Sequence, residues 1–330
     1  MNFVLLQTAQ LWEYAKSDRE WAVRAIRESA SAGGAEVILL PELSLSCPSP
    51  QAEEALVLEV QRIADVEDVI VALPIGVARL ESSIPLFPPL GVILELPGPP
   101  YEIHGVEENK MRMIYPKADG GSWQYWKRNM VPVIEAPFTN VAEVYGFKGN
   151  ATPQVHPNRN GCNLGTAICF DMEHPSFIRN LAKADIIMNP SYDWPGLNPY
   201  HAHIAAFRAI ETGASVVHHC MVGTSLAVDY RGVVLAHNDH FAMAEQRCAQ
   251  STMTTGEAPG GGAACDRKKK AADGLYMTAN VPTVGVTTLY ATVVGDALPQ
   301  ACLALLVYLA VVLRLGEDPA GLVAWAQRAR

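Results

Sequence analysis

Charge is scarce in this 330-residue chain: 18% of residues are Asp, Glu, Lys or Arg, and the balance leaves a formal net charge of -9. Without a basic surface the chain lacks the electrostatic footprint of a nucleic-acid-binding protein. Ordered cysteine spacing is also missing. The seven cysteines, at 47, 162, 169, 220, 248, 265 and 302, are odd in number and form no CxxC pair, which argues against a disulfide framework or a zinc-ribbon site. No secretory leader reads at the start, because Asn2–Leu6 is too short for its apolar core and lacks a basic flank, and it reads better as a first strand. Internal repeats are lacking too. What the chain has is apolar residues, 49% of the total, and a length ample for burying a core.

Those apolar residues alternate between strand-like and helix-like runs. A strand at Phe3–Gln7 precedes an amphipathic helix through Trp21–Ala30. The buried strand Val37–Leu40 ends at Pro41-Glu42; a helix over Ala52–Ala64 and a strand at Val69–Leu73 follow. Met111–Tyr115 and Trp123–Trp126 read as a hairpin across Gly120-Gly121, while 81–105 has no clear period. Beyond Cys169 the expectation is a helix over Pro175–Ala182, a strand at Asp185–Asn189 and a helix over His201–Thr212 capped by Gly213. Strands at Ser215–His219, Ser225–Asp229 and Val233–Ala236, and a last one within Gly274–Val281, complete an α/β alternation.

Two segments break the pattern. Residues 245–273 are rich in Gly, Ala, Ser and Thr with a short Lys268–Lys270 run, and are expected to be a disordered insertion. Residues 297–315 contain ACLALLVYLAVVL, uncharged from Ala301 to Leu313 and apolar all round. A full span needs about 20 apolar residues, so this is a short membrane helix or a buried one, and the absence of a polar stripe favours the membrane. The expected organisation is a catalytic domain over 1–296, a transmembrane helix over 297–315 and a tail over 316–330, with membrane localisation of open sidedness.

Three ionisable residues end separate strand-like runs: Glu42, Lys127 and Cys169. Side chains at the carboxyl ends of parallel strands converge on one crevice. There a cysteine can attack an acyl carbon, a carboxylate can take its proton, and an ammonium can stabilise the resulting oxyanion. A buried ammonium needs carboxylate partners, and Glu135 is a candidate second one. Taken singly each residue has a plainer reading, as a surface charge or a small core side chain.

The blocks around these residues carry a resemblance. Pro41-Glu42-Leu-Ser, Lys127-Arg-Asn-Met-Val-Pro and Ile168-Cys169-Phe-Asp171, with Phe207-Arg208-Ala-Ile-Glu211, are similar in order and spacing to the signature blocks of the nitrilase (carbon–nitrogen hydrolase) superfamily. The resemblance implies a four-layer αββα sandwich, a Glu42–Lys127–Cys169 triad, a thioester acyl-enzyme and no metal or organic cofactor. Val131–Pro137, Ser191-Tyr-Asp-Trp194, His201-Ala-His203 and Val281–Tyr290 followed by Gly295-Asp296 resemble the catalytic domain of apolipoprotein N-acyltransferases. Phe170 and Asp171 stand where that branch has Tyr-Glu, and its preceding helix bundle is absent from this sequence, so an N-terminally truncated fragment and a diverged amidase both stay open.

That likeness implies acyl transfer from a phospholipid donor to an amine. A carbon–nitrogen hydrolase passing the acyl group from a small amide to water, and an inactive membrane-tethered scaffold, stay open beside it. Phe170 and Trp194 are the expected substrate contacts, though Trp194 equally suits packing on the sandwich. His201 and His203, at i and i+2, lie on different helix faces, which disfavours a metal pair and suggests backbone partners near the helix start. His218-His219-Cys220 reads as structural, and Arg208 with Glu211 as a bracing ion pair.

Overall fold

The computed structural model describes residues 1–6, 16–31, 34–85, 102–131, 155–157, 160–193, 197–221, 223–239, 276–286 and 288. The expected insertion at 245–273, the apolar segment at 297–315, the tail at 316–330, Glu135 and Trp194 lie outside these residues. Among the described residues no helix is long and apolar enough to cross a membrane.

The first half of the chain gives β1 (Asn2–Leu6), α1 (Lys16–Ser31), β2 (Val37–Leu39), β3 (Leu45–Cys47), α2 (Pro50–Glu67), β4 (Ile70–Pro85), β5 (Glu102–Ile114) and β6 (Ser122–Trp126). With β13 (Tyr276–Asn280) its strands form one mixed sheet in the order β13-β1-β2-β4-β5-β6, with β3 also pairing with β4. The second half gives β7 (Val155–Pro157), β8 (Asn163–Thr166), α3 (Pro175–Arg179), β9 (Ile186–Ser191), α4 (Tyr200–Thr212), β10 (Ser215–Cys220), β11 (Thr224–Val228) and β12 (Val234–Asp239). These strands form a second mixed sheet in the order β12-β11-β10-β9-β8-β7.

Strand alternation explains the layering. Phe3, Leu5, Val37, Leu39 and Ala72 point to one face of the first sheet and join a core with Leu164, Ile186, Met188 and Val216 of the second. Leu6, Ile38, Leu40, Val71 and Leu73 point the other way, onto Ile26 of α1 and Leu56, Val60 and Ile63 of α2. On the far side, Ala202, Ala205 and Ala209 of α4 pack on the second sheet. Sheets thus face each other with helices outside, the αββα arrangement expected. Each fully buried Leu, Ile or Val adds about 1.5–3 kcal/mol to that assembly.

Local signals set the helix ends. Ser49 caps α2 by accepting the Ala52 N–H at 3.2 Å, and Pro50 sits in its first turn where no N–H is needed. Gly213 ends α4 at φ 75°, and its carbonyl accepts the Val286 N–H at 2.8 Å.

Three expectations change. The strand expected at Val69–Leu73 runs on to Pro85 and pairs antiparallel with β5, so the two ends of the segment without a period, 81–85 and 102–105, lie in paired strands. Its register shifts near Ala78 and Ser83, which erases the alternation a sequence reader relies on. The α2 helix is longer than Ala52–Ala64 because its cap lies at Ser49. The helix after the cysteine is shorter than Pro175–Ala182: it ends at Arg179, and i→i+3 bonds such as Leu181 N–H to Ile178 O carry the chain onward.

Candidate active site

Each half of the molecule contributes to the site. From the first sheet, β2 runs into the turn Pro41–Ser44, closed by the Ser44 N–H on Pro41 O at 3.2 Å. Leu43 in this turn has φ 52°, a region uncommon for a branched side chain. The turn buries Glu42 to 2% exposure. The β5–β6 hairpin supplies Asn109 and Lys127, joined through the Lys127 N–H on Asn109 O at 2.8 Å. The Lys127 ammonium bonds Glu42 Oε1 at 2.9 Å and Asn109 Nδ2 donates to the same oxygen at 2.7 Å. Oε2 accepts the Tyr192 N–H at 2.8 Å, from the end of β9.

Burying such a pair is not a stability device. The desolvation of two charges roughly cancels their attraction, and an apolar pair of similar volume does as well or better. Lys127 at 1% exposure against Glu42 at 2% is such a pair.

From the second sheet, β8 leads through Ala167 and Ile168 to Cys169, which has φ 46° and opens a 3-10 turn over Cys169–Glu173. A non-glycine residue in that region costs about 1–3 kcal/mol and persists where the surroundings enforce it. Here they do. The Asp171 carboxylate accepts from the Ile168 N–H at 3.0 Å, Tyr125 Oη at 2.8 Å, the Asn129 N–H at 2.8 Å and Asn129 Nδ2 at 2.9 Å. Burial pushes the Asp171 carboxyl above the usual range, and the bonds from Ile168, Asn129 and Tyr125 oppose it. Asn189 of β9 holds the other side, its Nδ2 facing Ala167 O at 3.3 Å and Cys169 O at 3.5 Å.

A second polar group lies against the cysteine. His201 Nδ1 donates to Asp193 Oδ1 at 2.7 Å, and Ser191 Oγ donates to the same oxygen at 2.9 Å. Ligating atoms of Cys169, Asp193 and His201 all lie within 4.8 Å of one another. Burial alone would raise the Asp193 carboxyl, but the His201 bond and charge hold it down at about 2. Burial works against the His201 imidazolium as well, and the Asp193 bond outweighs it, raising His201. Behind them His218 Nδ1 donates to Asn189 Oδ1 at 2.6 Å, and burial, with the His201 charge, holds His218 down at about 3.

The structure thus joins Glu42 and Lys127 directly. Tyr192 and Asp193, adjacent in the chain, connect them to Cys169: one bonds Glu42 and the other approaches the sulfur. Phe170 is half-buried and meets the His174 ring edge-on at 5.2 Å. Arg208 pairs with Glu211 as expected and reaches further, its Nε donating to Met172 O at 2.7 Å, which braces α4 against the cysteine turn. His203 is exposed, so His201 and His203 do part. The expected backbone partners of His201 are replaced by the Asp193 and Ser191 side chains. His219 is structural, bonded to Ser225 Oγ at 3.0 Å and Leu6 O at 3.1 Å, the latter tying the two sheets together.

Sequence reading missed Asn109, Asn129 and the roles of Asp171 and Asp193. Asp171 follows the cysteine by two residues and Asp193 lies in the quoted Ser191–Trp194 block, so both were in view without a partner to define them. Asn109 carried no signal.

Two facing mixed sheets, outer helices, a buried Glu–Lys pair and a cysteine on a strained turn define a class of α/β enzyme scaffold. A family model described as Carbon-nitrogen hydrolase matches residues 5–245, and the chain belongs to that family, within the nitrilase superfamily. No curated protein sequence matches the chain. Among solved structures it is similar to an amidase from Nesterenkonia sp., at 18% identity and TM-score 0.52, over 72% of this chain and 86% of that one. A double mutant of the Nesterenkonia sp. AN1 amidase in complex with acrylamide is similar at 17% identity and TM-score 0.53, with the same coverage of 72% and 86%. So is a mutant of it showing covalent addition of the acetamide moiety of fluoroacetamide at the active site cysteine, at 17% identity, TM-score 0.53 and coverage of 72% and 86%. At these identities the likeness is one of fold.

Proposed function

We propose that the protein is an amide-cleaving carbon–nitrogen hydrolase in which Cys169 carries the acyl group as a thioester. The observation that carries this reading is the Glu42 carboxylate, held at once by Lys127, Asn109 and the Tyr192 N–H. With its lone pairs so fixed, Glu42 is oriented to act as a base and cannot swing to solvent. In this scheme Glu42 takes the Cys169 thiol proton as the sulfur attacks the amide carbon. The Lys127 ammonium stabilises the tetrahedral oxyanion, an effect that mutagenesis elsewhere values at about 3–4 kcal/mol per donor. Glu42 returns the proton to the departing amine, leaving the thioester, then takes a proton from water as its oxygen attacks the thioester carbon; the S–C bond breaks, the acid leaves, and Glu42 gives the proton back to the Cys169 sulfur.

The likeness of Ser191–Trp194 and Val281–Asp296 to apolipoprotein N-acyltransferase blocks supports a second reading, in which a phospholipid donates the acyl group and an amine accepts it. It requires the apolar 297–315 segment to meet lipid, and the same triad serves both. Incubating the protein separately with small aliphatic amides and with labelled phospholipid decides. Ammonia release from the amides, with no label on Cys169 from phospholipid, supports the hydrolase. Phospholipid-derived fatty acyl label on Cys169 without amide turnover overturns it in favour of the transferase.

A further inference from the structure

We propose that His201 is a positioning residue for Glu42, acting through Asp193 on the peptide whose N–H holds the base. That role presumes Glu42 as the base of the amide-cleaving reaction; the linkage itself does not. Glu42 Oε1 is fixed from its own sheet by Lys127 and Asn109, whereas Oε2 is held from the second sheet by the Tyr192 N–H at 2.8 Å. Both chain neighbours of Tyr192 are tied to His201. Asp193 Oδ1 accepts its Nδ1–H at 2.7 Å, and Ser191 Oγ lies 3.1 Å from the same nitrogen while donating to Asp193 at 2.9 Å. His201 stands in the first turn of α4, and Arg208 of that helix bonds Met172 O in the cysteine turn. One helix therefore braces both the segment that orients the base and the turn that carries the sulfur.

The linkage is firmest with the ring protonated. Asp193 is 2% exposed, and a carboxylate so enclosed keeps its charge only against a cation or several donors. Around the ring stand Ser191 at the end of β9, Asp193 just beyond it, Glu173 Oε1 at 3.8 Å from Nε2, Glu42 from the first sheet, Cys169, and the His218 ring of β10, edge-on at 5.2 Å. Lys127 is already committed to Glu42. Burial opposes the imidazolium, but the Asp193 bond and charge, helped by Glu173 and Glu42, outweigh it. His218 cannot take this part, because burial holds it neutral and its Nδ1 serves Asn189. His201 Nε2 is buried and bonds nothing among the described residues, so Nδ1 is the ring's one anchor among them. Loss of the ring proton turns that charge-assisted bond into an ordinary one and leaves Asp193 uncompensated beside Glu42, which loosens the Tyr192 peptide.

The test combines hydrogen exchange at the Tyr192 amide, which needs no turnover, with the pH dependence of amide hydrolysis. In the unaltered protein that amide should exchange slowly at about pH 6, and at higher pH its rate should climb faster than ordinary base catalysis dictates, as His201 loses its proton. His201→Asn keeps an N–H near the Nδ1 position but never a charge. Its Tyr192 amide should exchange about 10-fold faster at about pH 6 and then follow the ordinary rise alone. Its kcat for a small amide should fall by about 10–100-fold with KM nearly unchanged, and the alkaline fall in kcat of the unaltered protein should vanish. His203→Gln, at an exposed position on the same helix, should change none of these. If His201→Asn fails to fold, the exchange profiles of the unaltered protein and His203→Gln decide. Tyr192 exchange in the unaltered protein that follows only the ordinary rise, an alkaline fall in kcat that survives in His201→Asn, or a His201→Asn effect confined to KM would each overturn the proposal. The expected exchange profile without amide hydrolysis would overturn the amidase reading and uphold the linkage.

Discussion

Asp171 shows how a single residue shapes the chemistry of another. Its two oxygens face four N–H and O–H donors and no acceptor, an arrangement that fits a carboxylate and no other side chain of that size. Asp171→Asn puts an amide N–H against one of those donors. We expect a loss of about 2–3 kcal/mol, measured by chemical denaturation, and a matching fall in activity as Cys169 leaves its positive-φ position. His218 contributes to acid sensitivity. Its folded pKa, held down at about 3, lies below the unfolded value near 6.5, so the unfolded chain binds the extra proton. Stability is full above pH 6.5 and falls as pH drops toward 3. The His201–Asp193 pair acts in the opposite sense at its upper end, contributing below pH 6.5 and fading as His201 loses its proton. His218→Gln should therefore flatten the decline in melting temperature between pH 6.5 and 4; an unchanged slope would assign the decline to other groups.

At the scale of elements, the turns matter more than the strands they close. The αL end of α4 at Gly213 lies so near the 285–286 segment that an added Cβ would sit 1.5 Å from Val286 O. Gly213→Ala should cost more than about 1 kcal/mol and free the segment, seen as faster hydrogen exchange at the Val286 amide. Gly213 and the α4 boundaries could be read directly from sequence, since a helical run ending in glycine has one simple meaning. The β4–β5 arms could not. Their register irregularity cancels the alternation near Ala78, and only pairing across the sheet defines them. The Cys169 turn was legible in part: a small-residue strand ending in a cysteine was visible, but its support by Asn129, Tyr125 and Asn189 comes from residues 20 to 46 positions away.

For the whole molecule, two mixed sheets meeting face to face bring β2, β6, β8 and β9 to one region, which is why Glu42, Lys127, Cys169 and Asp193 are close despite their spread along the chain. Sequence blocks pointed to the first three because their residue types and order are specific. Asp193 and His201 each fell in a quoted block, but nothing in the sequence joined them to each other or to His218, since the three sit on a loop, a helix and a strand that only the fold unites. The central claim is that Cys169 carries the acyl group under the control of Glu42 and Lys127. Rapid-quench mass spectrometry of the protein mixed with a small amide tests it most directly. One acyl group per chain on the Cys169 peptide is predicted, with turnover falling at least about a thousandfold in Cys169→Ala. Turnover retained in Cys169→Ala, or an acyl group on any other residue, would contradict the account.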